Sequence, residues 1–233
     1  YYDMDMNLAP HLMQPLELIS EGKGNTDLIS AYTSSSIGLS DQVTLNVGIN
    51  VQVLTLNNSW VLEPRAGVKW QASPKSSFAL AYGLHSRMEK MDVYFVKTQG
   101  TGDRSVNKDL DFTKAHHVML SYGFKVSDNM NVKIEPYFQY LYDVPVIADS
   151  SYSVLNRRDF YVEDALVNRG KGRNIGIDLT LERYLNKGLY YMVTASIFNS
   201  RYYGGDRKWR NTLYNRNYIV NLLGGKEWMV GRD

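Results

Sequence analysis

Val43-Thr44-Leu45-Asn46-Val47-Gly48-Ile49-Asn50-Val51-Gln52-Val53 alternates apolar and polar residues without a break. Successive side chains of a strand point to opposite faces, so this segment has one apolar face and one polar face. A helix would scatter the same residues around its axis, and the period of 2 therefore decides for β structure.

The same rhythm extends outward along the chain. Leu62, Pro64, Ala66, Val68 and Trp70 stand against Glu63, Arg65, Gly67, Lys69 and Gln71, so here the polar face carries full charges. Phe78, Leu80, Tyr82 and Leu84 oppose Ala79, Ala81, Gly83, His85 and Arg87; Val118, Leu120, Tyr122 and Phe124 oppose His117, Met119, Ser121, Gly123 and Lys125. Val132, Ile134, Pro136, Phe138 and Tyr140 oppose Asn131, Lys133, Glu135, Tyr137 and Gln139, and Ile175, Ile177, Leu179 and Leu181 oppose Asn174, Gly176, Asp178, Thr180 and Glu182. Less regular strands are expected over Leu28 to Leu39, Leu189 to Arg201 and Tyr218 to Trp228, giving about nine in all. Pro64 and Pro136 cannot donate to a ladder, so each marks a bulge or a local break.

The connections sort by length. Ser40-Asp41-Gln42, Ala72 to Ser76, Ser127-Asp128-Asn129 and Leu185 to Gly188 have the chemistry of tight turns. Between them fall longer polar connections, around Glu89 to Asp111, Val144 to Gly170 and Tyr202 to Asn217, with Asn57 to Trp60 the short exception. Short turns at one end and long loops at the other are how transmembrane barrels are built. The expected fold is all-β: an antiparallel meander of about nine strands that forms part of a large transmembrane β-barrel.

Composition narrows the function. No stretch approaches the roughly 18 apolar residues of a spanning helix, and mean hydropathy is −0.35. Tyr 18 and Gly 18 against Phe 7 and Trp 4 suit strands that end at a water boundary. Cys 0 excludes disulfides and thiolate metal sites. A net charge of +2 with interspersed signs leaves no basic footprint, so nucleic acid is not expected as a partner. The opening residues Tyr1 to Met6 carry no signal sequence, which leaves a cytoplasmic protein or an internal segment, and the odd strand count points to an incomplete one.

Trp60-Val61-Leu62-Glu63-Pro64-Arg65-Ala66-Gly67-Val68-Lys69-Trp70, followed by a short turn and Ala81-Tyr82-Gly83-Leu84-His85-Ser86, resembles the barrel of TonB-dependent outer-membrane receptors. So does the tail: Asn186-Lys187-Gly188-Leu189-Tyr190-Tyr191, Ser200-Arg201-Tyr202, Trp209-Arg210-Asn211-Thr212, Tyr214-Asn215-Arg216-Asn217-Tyr218 and Gly225-Lys226-Glu227-Trp228. The resemblance covers nearly the whole chain. It implies a barrel of about 22 strands with a plugged lumen, of which residues 1–233 form a part without the plug and the final strands. It further implies residence in a Gram-negative outer membrane and energised uptake of a small nutrient, whether an iron chelate, a corrinoid or a glycan. The implied partners are outer-membrane lipid, the plug domain of the same intact chain, TonB through a segment absent here, and the nutrient itself. A passive porin-like barrel and a soluble β-sandwich or lipocalin-like binder are the alternatives.

Glu63, Arg65, Lys69, His85, Arg87, Lys133, Glu135, Asp178 and Glu182 fall on the polar face and are expected to line the lumen or face the plug. Tyr202, Tyr203, Trp209 and Tyr214 are candidates for ligand contact in surface loops, while Trp60, Trp70, Tyr82, Tyr122, Tyr140, Tyr142, Trp209 and Trp228 suit an interfacial girdle. No catalytic residue, cofactor or metal is expected. His116 and His117 are strand neighbours that point to opposite faces and cannot share an ion. Asp3-Met4-Asp5-Met6-Asn7 begins like a calcium loop but has Leu8 where the invariant glycine belongs. Gly22-Lys23-Gly24 and Gly170-Lys171-Gly172-Arg173 read as loop glycines.

Overall fold

The computed structural model describes residues 2–8, 17–97, 105–157, 162, 164–228 and 230–231. A hairpin of β1 (Tyr2–Leu8) and β2 (Glu17–Gly24) stands apart from the main sheet. The calcium-like residues 3–7 lie in β1 as an extended strand and form no loop.

The main sheet is an up-and-down antiparallel meander: β3 (Leu28–Gly38), β4 (Val43–Leu54), β5 (Ser59–Gln71), β6 (Ser76–Arg87), β7 (Thr113–Ser127), β8 (Met130–Ile147), β9 (Leu166–Asn186) and β10 (Leu189–Tyr203). Two further pieces, β11 (Trp209–Asn211) and β12 (Tyr218–Lys226), both pair with β10, the first near its loop end and the second near its turn end. They are the halves of a ninth strand interrupted at 212–217. Among the described residues the sheet is open, with β3 on one edge and β11 and β12 on the other. Tight turns occupy the end formed by 39–42, 72–75, 128–129 and 187–188; the longer connections lie at the other. At Lys187 and Gly188 both φ angles are positive, 53° and 76°, as a two-residue hairpin turn requires.

Among the described residues nothing packs over the centre of the apolar face. Ile49, Leu62, Leu80, Leu120, Phe138, Ile175, Leu179 and Ile197 are all exposed on it. On β9 this face reads Arg173, then Ile175, Ile177, Leu179 and Leu181, then Arg183. The ten-residue step between the arginines is about 33 Å along a strand, or about 25 Å in height at a tilt of about 40°, the height of the apolar band of transmembrane barrels. Aromatic rings stack across strands toward the turns, with Trp70, Phe78 and Tyr122 at centroid spacings of 5.6 and 4.8 Å. A second row lies nearer the loops, where Tyr82, His116 and Tyr142 are spaced by 6.0 and 5.3 Å.

Both prolines mark local breaks. Pro64 pairs in register with Ile49 of β4, but toward β6 the ladder starts only at Arg65 opposite Gly83. Pro136 pairs with Ile177 of β9, and on its β7 side pairing lapses between Met119–Tyr137 and Tyr122–Ile134 with the register kept. In each case the missing N–H silences one neighbour and spares the other.

The apolar core sits at the loop end, on the polar face. Residues 88–97 and 105–112, the described parts of the connection between β6 and β7 and including a short helix α1 (Met91–Phe95), fold over the sheet and pack Val93, Tyr94, Phe95, Leu110 and Phe112 against Leu54 of β4, Val61 of β5 and Leu166 of β9. Three asparagines fasten this cap. Asn57 Nδ2 donates to the carbonyls of Lys108 and Leu110; Asn107 Nδ2 donates to the Asp164 carbonyl, and its Oδ1 accepts from Leu166 N–H at 2.8 Å. Asn168 Nδ2 donates to the carbonyls of Asp111 and Asp143. The connections expected over Val144 to Gly170 and Tyr202 to Asn217 are shorter than that, because β8, β9, β10 and β11 reach well into them. Gly170 and Gly172, read above as loop glycines, lie inside β9. A Cβ on Gly172 would meet Leu155 Cδ1 at 2.6 Å, so the bare backbone is what lets Leu155 settle onto the strand.

Candidate functional site

The polar face below the cap carries a hydrogen-bonded charged cluster, and Glu63 is its centre. Its position on β5 turns the side chain to this face, where it is 1% exposed. Oε1 accepts from Gln52 Nε2 at 2.8 Å, from Ser86 N–H at 2.7 Å and from Ser86 Oγ at 2.6 Å. Oε2 accepts from Asn50 Nδ2 at 2.9 Å and from the Arg65 guanidinium at 2.8 Å. The carboxylate thus fills the gap that Pro64 opens between β5 and β6, taking the Ser86 N–H that a strand carbonyl would otherwise take. The sequence showed the glutamate and the proline; Asn50, Gln52 and Ser86 were not singled out, because only cross-strand register brings them together.

Next to this cluster the polar face is hollowed. Ser34, Ser36, Asn46, Gly48, Gly67, Ala81 and Gly83 adjoin one another across β3 to β6 and form the floor of a concavity of about 500 Å³. Arg65, His85, His117 and Met119 stand around it. Small side chains in register over four strands leave room for something seated against the wall, and the rim offers hydrogen-bond donors to hold it.

The eight charged residues and His85 singled out in the sequence share the strand parity of this face, but they do not form one site. Glu63 and Arg65 pair, and Lys133 pairs with Glu135 at 2.7 Å. Arg87 reaches Glu89 at 3.9 Å, beneath the cap. Asp178 stands opposite Glu135 and Ser196, and Glu182 opposite Asn131 and Met192. Lys69 stands between Thr44 and Ala79. A neutral relay runs beside them: Thr212 Oγ1 donates to Ser200 Oγ, Ser200 Oγ to Asn174 Oδ1, and Asn174 Nδ2 to Gln139 Oε1. Hydrogen bonds therefore cross the polar face from β8 to Thr212, in the interruption of the ninth strand.

The four candidate loop aromatics are dispersed. Tyr202 is buried on the polar face of β10, and Tyr214 is exposed in the interruption of the ninth strand. Tyr203 and Trp209 pack together on the apolar side at 5.4 Å. His116 and His117 point to opposite faces as expected: His116 Nδ1 lies 2.9 Å from Tyr82 Oη, and the His117 ring lies 6.3 Å from that of His85. Among the described residues no group of three His, Cys, Asp or Glu side chains is placed to hold a metal ion.

Under the cap, burial pushes the Glu89 carboxyl above its ordinary range, against the Thr113 hydroxyl at 2.8 Å. Burial also pushes the Tyr94 phenol up to about 12, and its oxygen accepts the Glu89 N–H at 3.2 Å. Asp92 and Arg157 form a largely buried ion pair that ties α1 to the segment that follows β8.

No family model and no curated protein matches the chain. Solved structures do. The siderophore receptor PiuA from Acinetobacter baumannii superposes with a TM-score of 0.64 at 13% identity, over 89% of this chain and 32% of that one. The ferric-catecholate import receptor Fiu from Escherichia coli K12 gives 0.64 at 12%, over 90% and 34%, and the FrpB iron transporter from Neisseria meningitidis, F3-3 variant, gives 0.55 at 17%, over 78% and 27%. The chain spans about a third of the length of these proteins. Its fold is that of the barrel wall of TonB-dependent outer-membrane receptors, the family its strand sequences resemble.

Proposed function

We propose that this chain is a wall segment of a TonB-dependent outer-membrane receptor that imports an iron chelate. The observation that carries the reading is the two-faced sheet: an apolar band of bilayer height on one side, and on the other a charged, hollowed wall with a structured cap at the loop end. The likeness to the PiuA, Fiu and FrpB barrels supports the receptor class and favours iron chelates over corrinoids or glycans. A passive porin has no need of a recess in its wall. A receptor does, because a plug must lie against that wall.

On this reading the concavity floored by Gly48, Gly67, Ala81 and Gly83 takes the plug domain of the same intact chain, with Arg65, His85 and His117 as its polar contacts. Lys69, Lys133, Glu135, Asp178 and Glu182 line the lumen nearer the turns. Binding of the chelate belongs to the loop end, and energy enters through TonB on the other side. The test is uptake of radioiron-labelled ferric catecholate by the native host with the gene intact, deleted, or intact in a strain lacking TonB. Uptake is expected to fall in both altered strains. Unchanged uptake in the deletion strain overturns the substrate, and steady ion conduction by the purified protein in a planar bilayer overturns the plugged receptor in favour of a porin.

A further inference from the structure

The apolar face carries one feature that membrane spanning does not call for. On β9 the outward row begins Arg169, Lys171, Arg173 and changes to Ile175, Ile177, Leu179 and Leu181. Arg201 of β10 stands directly opposite Arg173. Like charges facing each other across a ladder are destabilising. Several other cations of the sheet have carboxylates: Lys114 bonds Asp111 and Asp143, Arg65 bonds Glu63, and Arg210 bonds Asp206. Among the described residues Arg169, Lys171, Arg173 and Arg201 have none, and the Nε atoms of Arg173 and Arg201 are buried without a hydrogen-bond partner; Arg183, at the turn end of β9, shares the buried Nε but stands alone between Met130 and Tyr191.

Two details give this cluster a shape. A recess of about 150 Å³ opens between Arg169, Lys171 and Arg207, with Gly204 and Gly205 and the single carboxylate of Asp149 completing it. Beside it, Lys171 lies over the Tyr203 ring at 5.7 Å and Arg173 over the Trp209 ring at 5.8 Å, while the two rings pack at 5.4 Å. The rings hold the cationic stems in place and leave an amphipathic surface at the border of the apolar band.

We propose that the loop-end outer surface of β9 to β11 binds the phosphate groups of an anionic glycolipid of the outer leaflet. This rests on the reading that the apolar face meets lipid with the loops outward. Three unpaired cations around a recess of this volume, against one carboxylate, suit a phosphate group. A soluble polyanion would be met equally well by cations anywhere on the loops, whereas these begin where Ile175 and Ile197 begin. Acyl chains can descend along those side chains while the phosphates remain with the arginines and Lys171.

The experiment uses the intact outer-membrane protein that carries this chain, purified in a neutral detergent. Three probes are titrated and read by native mass spectrometry: bisphosphorylated lipid A, the same lipid A without phosphates, and inorganic phosphate. The phosphorylated lipid is expected to bind more tightly than the dephosphorylated one, and R173Q/R201Q and R169Q/K171Q each to weaken it on the order of tenfold. The charge-keeping R173K/R201K should retain most of the binding, and heat-modifiable gel mobility confirms that each variant is folded. Equal binding of both lipids, or full binding by both glutamine variants, overturns the site. Inorganic phosphate binding as tightly as the lipid overturns the lipid assignment. A protein that stays soluble without detergent fails the membrane reading itself, before any lipid is added.

Discussion

Replacing Glu63 by alanine should be among the most damaging single changes in the wall. The carboxylate has five hydrogen bonds, but they are not equal. Arg65 is half exposed and can turn to water, and Asn50 can do the same, so the loss on Oε2 is small. Oε1 is different. Its three donors, Gln52 Nε2 and the N–H and Oγ of Ser86, converge on one atom of a side chain that is 1% exposed. At about 1 kcal/mol for each donor left without its acceptor, Glu63→Ala should cost about 3 kcal/mol. Glu63→Gln keeps one oxygen in that place and places an amide where Asn50 and Arg65 donate, so about 1 kcal/mol is expected. The assay is denaturant unfolding of the intact protein in detergent, with the loss concentrated at the β5–β6 junction when followed by hydrogen exchange. A Glu63→Ala variant within about 0.5 kcal/mol of the parent, or no more damaged than Glu63→Gln, would refute the reasoning.

Three further outcomes are expected. Glu89 has its folded pKa raised by burial, so between the ordinary carboxyl value and that raised value the native cap holds the more protons; its stability should fall as pH rises through this window, and Glu89→Gln should flatten the dependence, measured as rate-corrected exchange protection over 88–97. Gly172→Leu should drive a side chain into Leu155, cost about 1–3 kcal/mol and open the 148–165 connection to protease while the strands stay protected. Leu80→Arg, on the apolar face, should destabilise membrane insertion by about 2–4 kcal/mol, whereas Ala81→Ser, its neighbour on the polar face, should leave insertion unchanged, as vesicle-folding titrations would show.

The strands were legible because their signal is local. Val43 to Val53 states its two faces by itself, and the same period locates the strands through β9. The cap was not legible. The 88–112 connection read as polar although Met91 to Val96 is nearly all apolar, and nothing local shows that Leu54, Val61 and Leu166 lie beneath it. The length of β9 was missed for a related reason: Gly170-Lys171-Gly172 has loop composition, and its glycines are explained only by the segment packed on them. Of the charged wall, alternation alone puts Glu63 and Arg65 on one face of β5, yet the partners of Glu63 come from β4 and β6 and depend on register. Trp209 was legible as an aromatic near a boundary, but its packing on Tyr203 and the facing pair Arg173 and Arg201 were not, because each pair joins different strands.

The break at Pro64 has a mechanical meaning. A sheet one layer thick resists sideways tension only through its ladders, and neighbouring seams share the load. Between β6 and β7 the pairs run from Ser76 to Arg87, yet between β5 and β6 they stop at Arg65, and beyond that point one carboxylate bridges the strands. Under a lateral pull the wall should begin to part at this seam, from the loop end downward, with Glu63 as the catch that must let go first.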